Sequence, residues 1–198
     1  MTHEASKAVV RRSHDIRFAT RYFRGDGIDI GAGNDCLGQF SRYFPLMRSC
    51  RAWDLPDGDA MTLTSVADMS YDFVHSSHCL EHLVDPYHAL NNWIRVCRQG
   101  GHLVLMIPDE DLYEQGVWPS TYGVGHNWSF TIHKRSSWSP VSINVFELLK
   151  TFDDDVDVLK VELLDTGNMR HQPRWDQTLG PLAESAIEIV LRRRVKLD

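Results

Sequence analysis

The sequence predicts an α/β protein built on a Rossmann-like, doubly wound sheet that is mostly parallel. Three observations lead to this prediction. Strand-like and helix-like apolar periods alternate along the chain, which is typical of parallel strands joined by helices. A glycine turn, GAG, follows the first apolar strand, and an acidic residue closes the next one. With 198 residues, of which 42% are hydrophobic, the chain is predicted to form one domain over 1–198.

Each predicted element rests on the spacing of its apolar residues. Helical segments repeat apolar residues every three to four positions, whereas strands are short apolar runs bounded by glycine or polar residues. In chain order the elements are a helix within 1–25, a strand at 27–31, a helical pattern over 37–47 that is broken at Pro45, strands at 50–53 and 71–76, a mostly helical segment over 79–98, a strand at 100–108, a helix over 143–152, and strands at 156–164 and 186–193. No convincing crossover helix separates the last two strands, so we expect them to pair antiparallel at one edge.

Composition limits the function classes. No apolar run is long enough to span a membrane and the first residues lack the apolar core of a signal peptide, so we expect a cytoplasmic protein without a membrane span. The four cysteines show no C-x-x-C spacing, which favours reduced thiols that pack as small hydrophobic groups. The net charge of −6 disfavours a nucleic acid as partner. No pattern predicts an oligomeric state.

The first segment is nevertheless locally basic. A solvated helix face is the expected role of these charges, and capture of an anionic ligand is the alternative. The basic residues are Lys7, Arg11, Arg12, Arg17, Arg21 and Arg24.

The glycine turn after the first strand is the candidate cofactor site. Its fingerprint for a dinucleotide is incomplete, because Cys36 stands where the third glycine after Gly31 and Gly33 is required. About twenty residues further on, Asp54 ends the second strand, where a carboxylate can accept hydrogen bonds from both hydroxyls of a ribose. Strand, turn, strand and acid together predict a ribose-containing ligand. A nucleotide-dependent oxidoreductase is disfavoured, since no Tyr-x-x-x-Lys pair is present.

Four segments carry a family resemblance. IDIGAG, AWDLPDGDA, YDFVHSSHCLEHLVDP and RVCRQGGHLVLMIPDED occur in this order over roughly residues 25–110. They resemble the successive motifs of class I S-adenosylmethionine-dependent methyltransferases, and more narrowly of the type 11 small-molecule group. The resemblance implies an enzyme that uses S-adenosyl-L-methionine and releases S-adenosyl-L-homocysteine. This cofactor has an adenosine but no pyrophosphate, so the third glycine is dispensable.

The resemblance also implies which residues contact the cofactor. By position they are Asp29, Gly31, Ala32 and Gly33 at the methionine and ribose, Asp54 at the ribose hydroxyls, Leu55, Asp59 and Ala60 at the adenine, and Ser77, His78 and Leu80 under the sulfonium. The family usually places a helix and a strand between the ribose acid and the adenine acid, whereas here only LPDG lies between them. Four residues cannot hold both elements, so we expect a contracted sheet of six strands rather than seven.

Histidines are the candidate catalytic groups. In-line methyl transfer depends on positioning, and a hydroxyl acceptor also benefits from a group that removes its proton. His78 follows the third strand near the position that the resemblance gives to the methyl group, and His126 lies in the segment expected to cap the site. We predict both as catalytic residues, with Asp109 as the carboxylate that orients them; a local structural hydrogen bond is the alternative role. His82 is expected to make a buried contact.

The same predicted helix carries residues with the spacing of metal ligands. His78, Glu81 and His82 have the i, i+3, i+4 spacing that can ligate an ion, and some related methyltransferases carry one there. No fourth ligand is evident in the sequence, so we predict no metal.

Residues 109–140 are predicted to form a substrate-capping insertion. Aromatic planes can stack on a sugar or a flat ring, although packing in the core is the alternative. The candidate substrate contacts are Tyr113, Trp118, Asn127 and Trp128. We therefore expect O-methylation of a small polar molecule, a glycan or other metabolite. A cofactor-binding module without turnover, or an N- or C-methyltransferase of a small metabolite, are the alternatives.

Overall fold

A computed structural model describes residues 4–170 and 172–196. Three α-helices and eight strands form in this part of the chain, joined by shorter helical turns. They are α1 (Glu4–Ser13), β1 (Gly25–Ile30), β2 (Met47–Trp53), β3 (Tyr71–Ser77), α2 (Pro86–Val96), β4 (Cys97–Pro108), β5 (Ser129–Thr131), β6 (Ser142–Asn144), α3 (Val145–Lys150), β7 (Val156–Leu164) and β8 (Ala186–Arg193). The turns are 3₁₀ segments at Leu37–Tyr43, Leu55–Asp57, Leu80–His82 and Gln177–Leu179, and π-helical segments at Phe18–Tyr22 and Glu110–Glu114.

Six strands form one sheet in the order β2-β1-β3-β4-β8-β7. β1 to β4 are parallel, whereas β8 runs antiparallel to both β4 and β7. The predicted α/β sheet, mostly parallel with an antiparallel pair at one edge, is confirmed. The structure describes every residue between Asp54 and Tyr71 and forms no strand there, so the contraction to six strands is confirmed as well. None of the described helices has the length and apolar character needed to cross a membrane.

The sheet separates two apolar layers. Side chains alternate between the faces along each strand, so Val74 packs in the layer of α2 and α3 while its neighbour Phe73 packs in the layer of α1. The first layer is centred on Trp93 of α2, and the second on Phe18 and Phe23, all three with no solvent exposure. Helices therefore cover both faces, as a doubly wound sheet requires.

Two helical predictions are wrong in extent. The pattern over 37–47 forms 3₁₀ turns with a non-helical residue at Phe40, and β2 already begins at Met47. Of the helix predicted over 79–98, only α2 is α-helical. Its start is fixed by Asp85, whose side chain accepts hydrogen bonds from the amides of two residues in the first turn.

The N-terminal and late helices also differ from prediction. The helix predicted within 1–25 is divided, because α1 ends at Ser13 and the π-helical turn begins only at Phe18. The late helix begins at Val145 rather than at 143, since the side chain of Asn144 caps it. The insertion over 109–140 is less irregular than expected, because its β5 pairs with β6.

Candidate active site

A trough of about 590 Å³ lies at the carboxyl ends of β1, β2 and β3. Ligands of open α/β sheets bind at this edge. The residues predicted to contact the cofactor that line the trough are Asp29, Gly31, Ala32, Gly33, Asp54, Ser77 and His78. The rest of its lining is Glu4, Ala5, Asn34, Asp35, Pro56 and His75.

The glycine turn shapes the floor of this trough. Gly31 and Gly33 have φ angles of 74° and 51°, in the left-handed region that favours glycine. A Cβ on Gly31 would lie 2.7 Å from the Cys79 Sγ, so this position also excludes a side chain by contact. Gly33 has open space around it. The backbone here can therefore approach a bound ligand closely.

Asp54 stands beside this turn with spare hydrogen-bonding capacity. Its Oδ2 accepts from the Gly33 amide at 2.8 Å and its Oδ1 from the Leu55 amide at 2.7 Å. The side chain also accepts from a backbone amide of the following turn in a capping box, so of about four acceptor positions on a carboxylate roughly one remains for a ribose hydroxyl. Asp57 helps to fix the carboxylate by accepting a hydrogen bond from the Asp54 amide.

Four predicted cofactor residues do not line the trough. Leu55 is 90% exposed beyond its rim, and Leu80 is buried in the apolar layer of α2. The carboxylate of Asp59 accepts from the Met61 amide, and the carbonyl of Ala60 accepts from an indole of α2. The adenine contacts of these residues therefore stay predictions.

A second, smaller cavity of about 200 Å³ adjoins the trough, and we call it the histidine pocket. Glu4 and His78 line both cavities and form the junction between them. The remaining lining residues are Glu81, His82, Tyr113, Tyr122, Gly123, Val124, His126 and Thr178. Both predicted catalytic histidines thus lie in one pocket, beside the trough.

Glu114 orients His126. The His126 Nδ1 lies 2.9 Å from the Glu114 Oε1, and the ring stacks on Tyr113 with its centroid 5.4 Å away. Its Nε2 points toward Glu81, 3.9 Å from the nearer oxygen. Asp109 was predicted for this orienting role, but its carboxylate instead accepts from two amides of the next turn, which it caps.

His78 and Glu81 form a buried ion pair at the junction. The His78 Nδ1 lies 3.4 Å from the Glu81 Oε1. The His78 Nε2 and both oxygens of the Glu81 carboxylate have no hydrogen-bond partner among the described residues. Burial alone would lower the pKa of His78, but the Glu81 carboxylate outweighs it and the pKa is raised. Burial would likewise raise the pKa of Glu81, which His78 and the other two histidines lower.

The segment that carries His126 is fixed to the 3₁₀ turn Leu80–His82. The amides of Asn127 and Trp128 donate to the Glu81 carbonyl at 2.8 and 3.2 Å. Their side chains donate to the carbonyls of His82 and of the next residue. Both residues, like Trp118, were predicted to contact substrate, yet of that set only Tyr113 lines the histidine pocket. The substrate contacts of Asn127, Trp128 and Trp118 stay predictions. The hydrogen bonds of the first two attach their segment to the 3₁₀ turn.

A buried ionic network lies behind the trough. The guanidinium of Arg12 can only donate, so the Nε2 of His75 accepts from it at 3.0 Å and the His75 Nδ1–H donates to Asp29 at 2.5 Å. Arg12 also donates to Glu188 of β8 at 2.8 Å. Arg12, His75 and Glu188 have no solvent exposure. Expecting a solvated face for all the N-terminal charges was therefore wrong at Arg12, because β8 supplies a carboxylate beneath it.

Comparison with known proteins gives a family. A model of the type 11 methyltransferase domain matches residues 41–105. The plantazolicin methyltransferase BpumL, solved with SAH, is 13% identical with a TM-score of 0.59, over 97% of this chain and 85% of its own. A SAM-dependent methyltransferase from Archaeoglobus fulgidus is 16% identical with a TM-score of 0.58, over 96% and 94%. The matched domain and the shared fold are those of class I, S-adenosylmethionine-dependent methyltransferases. The resemblance predicted from four motifs is confirmed, and so is the cofactor.

A further structure extends the comparison to an assembly. A chain from the Haloferax volcanii complex of the Trm112 methyltransferase activator with a methyltransferase is 13% identical with a TM-score of 0.51, over 98% of this methyltransferase and 99% of its own length. At such identities these solved structures show the fold. No curated protein sequence matches the chain.

Several residues that line or support the trough and the histidine pocket were not identified from the sequence alone. Asn34 and Asp35 directly follow the glycine turn, and extending the motif by two residues would have included them. Glu4 comes from α1, and Glu114 comes from a turn predicted only as part of the lid. Neither carries a local signal, because each reaches the site only through the tertiary fold.

We expect replacement of Asp54 by alanine to weaken S-adenosylmethionine binding by about 1.5 to 3 kcal/mol, the usual size for losing hydrogen bonds to a charged acceptor. Calorimetry measures the affinity, and wild type is expected to bind S-adenosylhomocysteine as well but not NAD. Asp153→Asn, which changes an exposed carboxylate that does not line the trough, is the control. Equal affinities of wild type and Asp54→Ala would contradict the ribose contact.

Asp109→Asn is expected to stabilise the fold at pH 7 by about 2 kcal/mol. Burial raises the pKa of the Asp109 carboxyl to about 6, so the folded state holds a proton that the unfolded chain loses near pH 4. The contribution of the Asp109 carboxyl to the free energy of unfolding of wild type therefore falls as the pH rises from about 4 to 6. Urea unfolding at pH 4 and 7 measures the difference. Asp111→Asn, which loses an ion pair to Lys134, should show no such gain; a pH-independent effect of Asp109→Asn would refute the assignment.

Proposed function

We propose that the methyltransferase transfers a methyl group to a hydroxyl oxygen of a small polar molecule, a glycan or other metabolite, held in the histidine pocket. One observation carries the proposal: the histidine pocket adjoins the cofactor trough, and His78 and Glu4 line both cavities. A cofactor whose ribose lies at Asp54 would direct its other end toward this junction. The acceptor would then meet the methyl group from the side of His126.

The chemistry is an in-line displacement. A bond from the acceptor oxygen to the methyl carbon forms as the bond from that carbon to sulfur breaks, and the hydroxyl proton leaves. The products are a methyl ether and S-adenosylhomocysteine. Positioning supplies much of the rate, and removal of the proton supplies more. We assign proton removal to the histidine cluster, with His126 held by Glu114 facing the bound acceptor.

The lining of the pocket supports a polar acceptor. Carboxylates and histidines alternate with Tyr113 and Tyr122, whose rings meet edge to face with centroids 6.3 Å apart. Polar groups of this kind hold hydroxyls, and the aromatic faces can pack against a sugar or a flat ring. The volume of about 200 Å³ suits one small group rather than a polymer. The four free cysteines support a cytoplasmic location.

A screen for methylated products tests the proposal. The purified protein is first examined by mass spectrometry for retained adenosyl compounds and then incubated with S-adenosylmethionine and pools of hydroxylated metabolites. We expect an acceptor to gain the mass of one methylene, with methylation at oxygen established by NMR. Asp54→Ala should reduce product formation in parallel with cofactor affinity. Retained cofactor binding with no methylated product would favour the alternative of a binding module, and methylation at nitrogen or carbon would refute the O-directed assignment.

A further inference from the structure

We propose that Glu81, His82 and His126 bind one divalent transition-metal ion, and that the acceptor oxygen binds to this ion. Each of the three residues offers a ligand atom within 4.8 Å of the others. Two histidines and a glutamate form one of the ligand sets of catalytic zinc, in which a fourth position stays open for water or substrate. The third ligand, His126, lies 44 positions beyond His82, so no local spacing in the sequence connects it to the other two.

Both histidine rings are set to present Nε2 to an ion. The His82 Nδ1–H donates to the Gly125 carbonyl at 3.1 Å, and the His126 Nδ1 lies 2.9 Å from the Glu114 Oε1. Metal-bound histidines almost always donate their other ring N–H to a carbonyl or carboxylate in this way, which fixes the tautomer and the ring direction. The Nε2 lone pairs therefore remain available on the side of Glu81.

Glu81 supplies an independent observation. Its side chain has no solvent exposure, and neither carboxylate oxygen has a hydrogen-bond partner in the described part of the chain. Buried carboxylates are normally paired and hydrogen-bonded, because an unsatisfied charge is costly. The His78 Nδ1 lies 3.4 Å from the Glu81 Oε1 and the His126 Nε2 lies 3.9 Å from the same oxygen, so neither histidine forms a hydrogen bond with the carboxylate. A cation between Glu81 and the two histidines would compensate the negative charge of the buried Glu81 carboxylate.

The geometry permits an ion after a small closure. The His126 Nε2 lies 3.9 Å from the Glu81 Oε1. Ligands on tetrahedral zinc lie about 3.4 Å apart, given bonds of about 2.0–2.2 Å, so side-chain movements on the order of 1 Å complete the site. Imidazole ligands favour zinc over magnesium, which prefers oxygen. The exposed side of His82 leaves a path for entry.

In methyl transfer the ion would assist removal of the acceptor's proton. This role rests on the proposed function. An acceptor hydroxyl in the open position would have its pKa lowered as that of metal-bound water is, and its proton would pass to solvent. With the ion bound, His126 would serve as a ligand, and the ion would replace it as the group that assists removal of the proton. A small molecule that brings a single hydroxyl to the open position fits this site best.

Zinc binding can be measured without cofactor or acceptor, so its outcome is separate from that of methyl transfer. Protein stripped with a chelator is titrated with Zn²⁺, Mn²⁺ and Mg²⁺ by calorimetry. We expect one Zn²⁺ per chain, tighter than Mg²⁺. Glu114→Gln should weaken Zn²⁺ binding by about 10- to 100-fold, as loss of a supporting carboxylate does, and His82→Ala or His126→Ala by more. His88→Ala removes an exposed histidine outside the pocket and is the control.

Thermal unfolding gives a second measurement. Zn²⁺ should raise the Tm of wild type and of His88→Ala, but not that of His82→Ala, whose exposed side chain can be removed without harming the fold. Absence of Zn²⁺ binding by wild type, or equal binding by His82→Ala, would overturn the site. If Zn²⁺ binds as expected but methyl transfer to an identified acceptor is unchanged after the chelator, the site stands and the acceptor's contact with the ion is refuted.

Discussion

Replacement of His126 by alanine is expected to lower turnover by about two to four orders of magnitude, the range for losing a group that assists proton removal. Affinity for S-adenosylmethionine should change little, because His126 lines the histidine pocket and not the cofactor trough. Turnover and cofactor affinity should respond differently because, in the proposed function, the His126 ring faces the acceptor while the cofactor lies in the trough. Single-turnover kinetics on an identified acceptor, with cofactor affinity measured separately, gives both quantities.

The controls separate chemistry from structure. His133→Ala removes an exposed histidine of the same insertion and should retain turnover. His78→Ala should lose turnover and some cofactor affinity together, since His78 lines both cavities. Unchanged turnover in His126→Ala would leave positioning as the main catalytic device. Equal loss of cofactor affinity and turnover in that variant would mean that His126 shapes the trough instead.

Glu188→Gln is expected to lower the free energy of unfolding by about 3 to 5 kcal/mol, the usual cost of leaving a buried charge without its partner. Glu188 accepts hydrogen bonds from Arg11, Arg12 and Lys160, at distances between 2.7 and 3.0 Å. The neutral amide would leave these cations, of which Arg12 has no solvent exposure, facing no negative charge at this position. Urea unfolding at pH 7 measures the loss.

The dependence on pH and a surface control make this prediction specific. Burial would raise the pKa of Glu188, but Arg12, Arg11 and Lys160 hold it far below its usual range. A lowered folded-state pKa gives stability that is present above about pH 4.5 and lost as the pH falls. The difference in free energy of unfolding between wild type and Glu188→Gln should therefore become smaller at acid pH. Glu162→Gln, which removes a half-exposed partner of Lys160 on β7, should cost less than about 1 kcal/mol. A similar loss in both variants would contradict the buried network.

The order of the sheet could be predicted from the sequence because its signals are local. Ile28 and Ile30 lie in an apolar run closed by the glycine turn, and Asp54 marks the end of the next strand. The spacing between Asp54 and Asp59 also sufficed to predict a missing strand. Helix boundaries were less predictable, because side-chain caps such as Asp85 override the apolar period.

The rest of the site depends on contacts between distant parts of the chain. Arg12 and Glu188 are 176 residues apart, and each looks like an ordinary surface charge on its own segment. The pair of His126 and Glu114 lies within an insertion that has little periodic pattern, so no spacing rule connects it to Glu81 on a different turn. Local patterns predict the cofactor side of the site well for this reason, and the acceptor side poorly.

The shortened link after Asp54 has a consequence for behaviour in solution. It leaves β2 as the outermost strand of the sheet, with one row of backbone amides and carbonyls unpaired by any neighbouring strand in the described chain. Such a row can template pairing with another molecule and lead to aggregation. Arg48 and Arg51 are exposed on this strand and, being three positions apart, project from opposite faces. Charged side chains on an edge strand are one of the features by which native sheets avoid such pairing, and the two arginines give this feature to the strand that the contraction exposes.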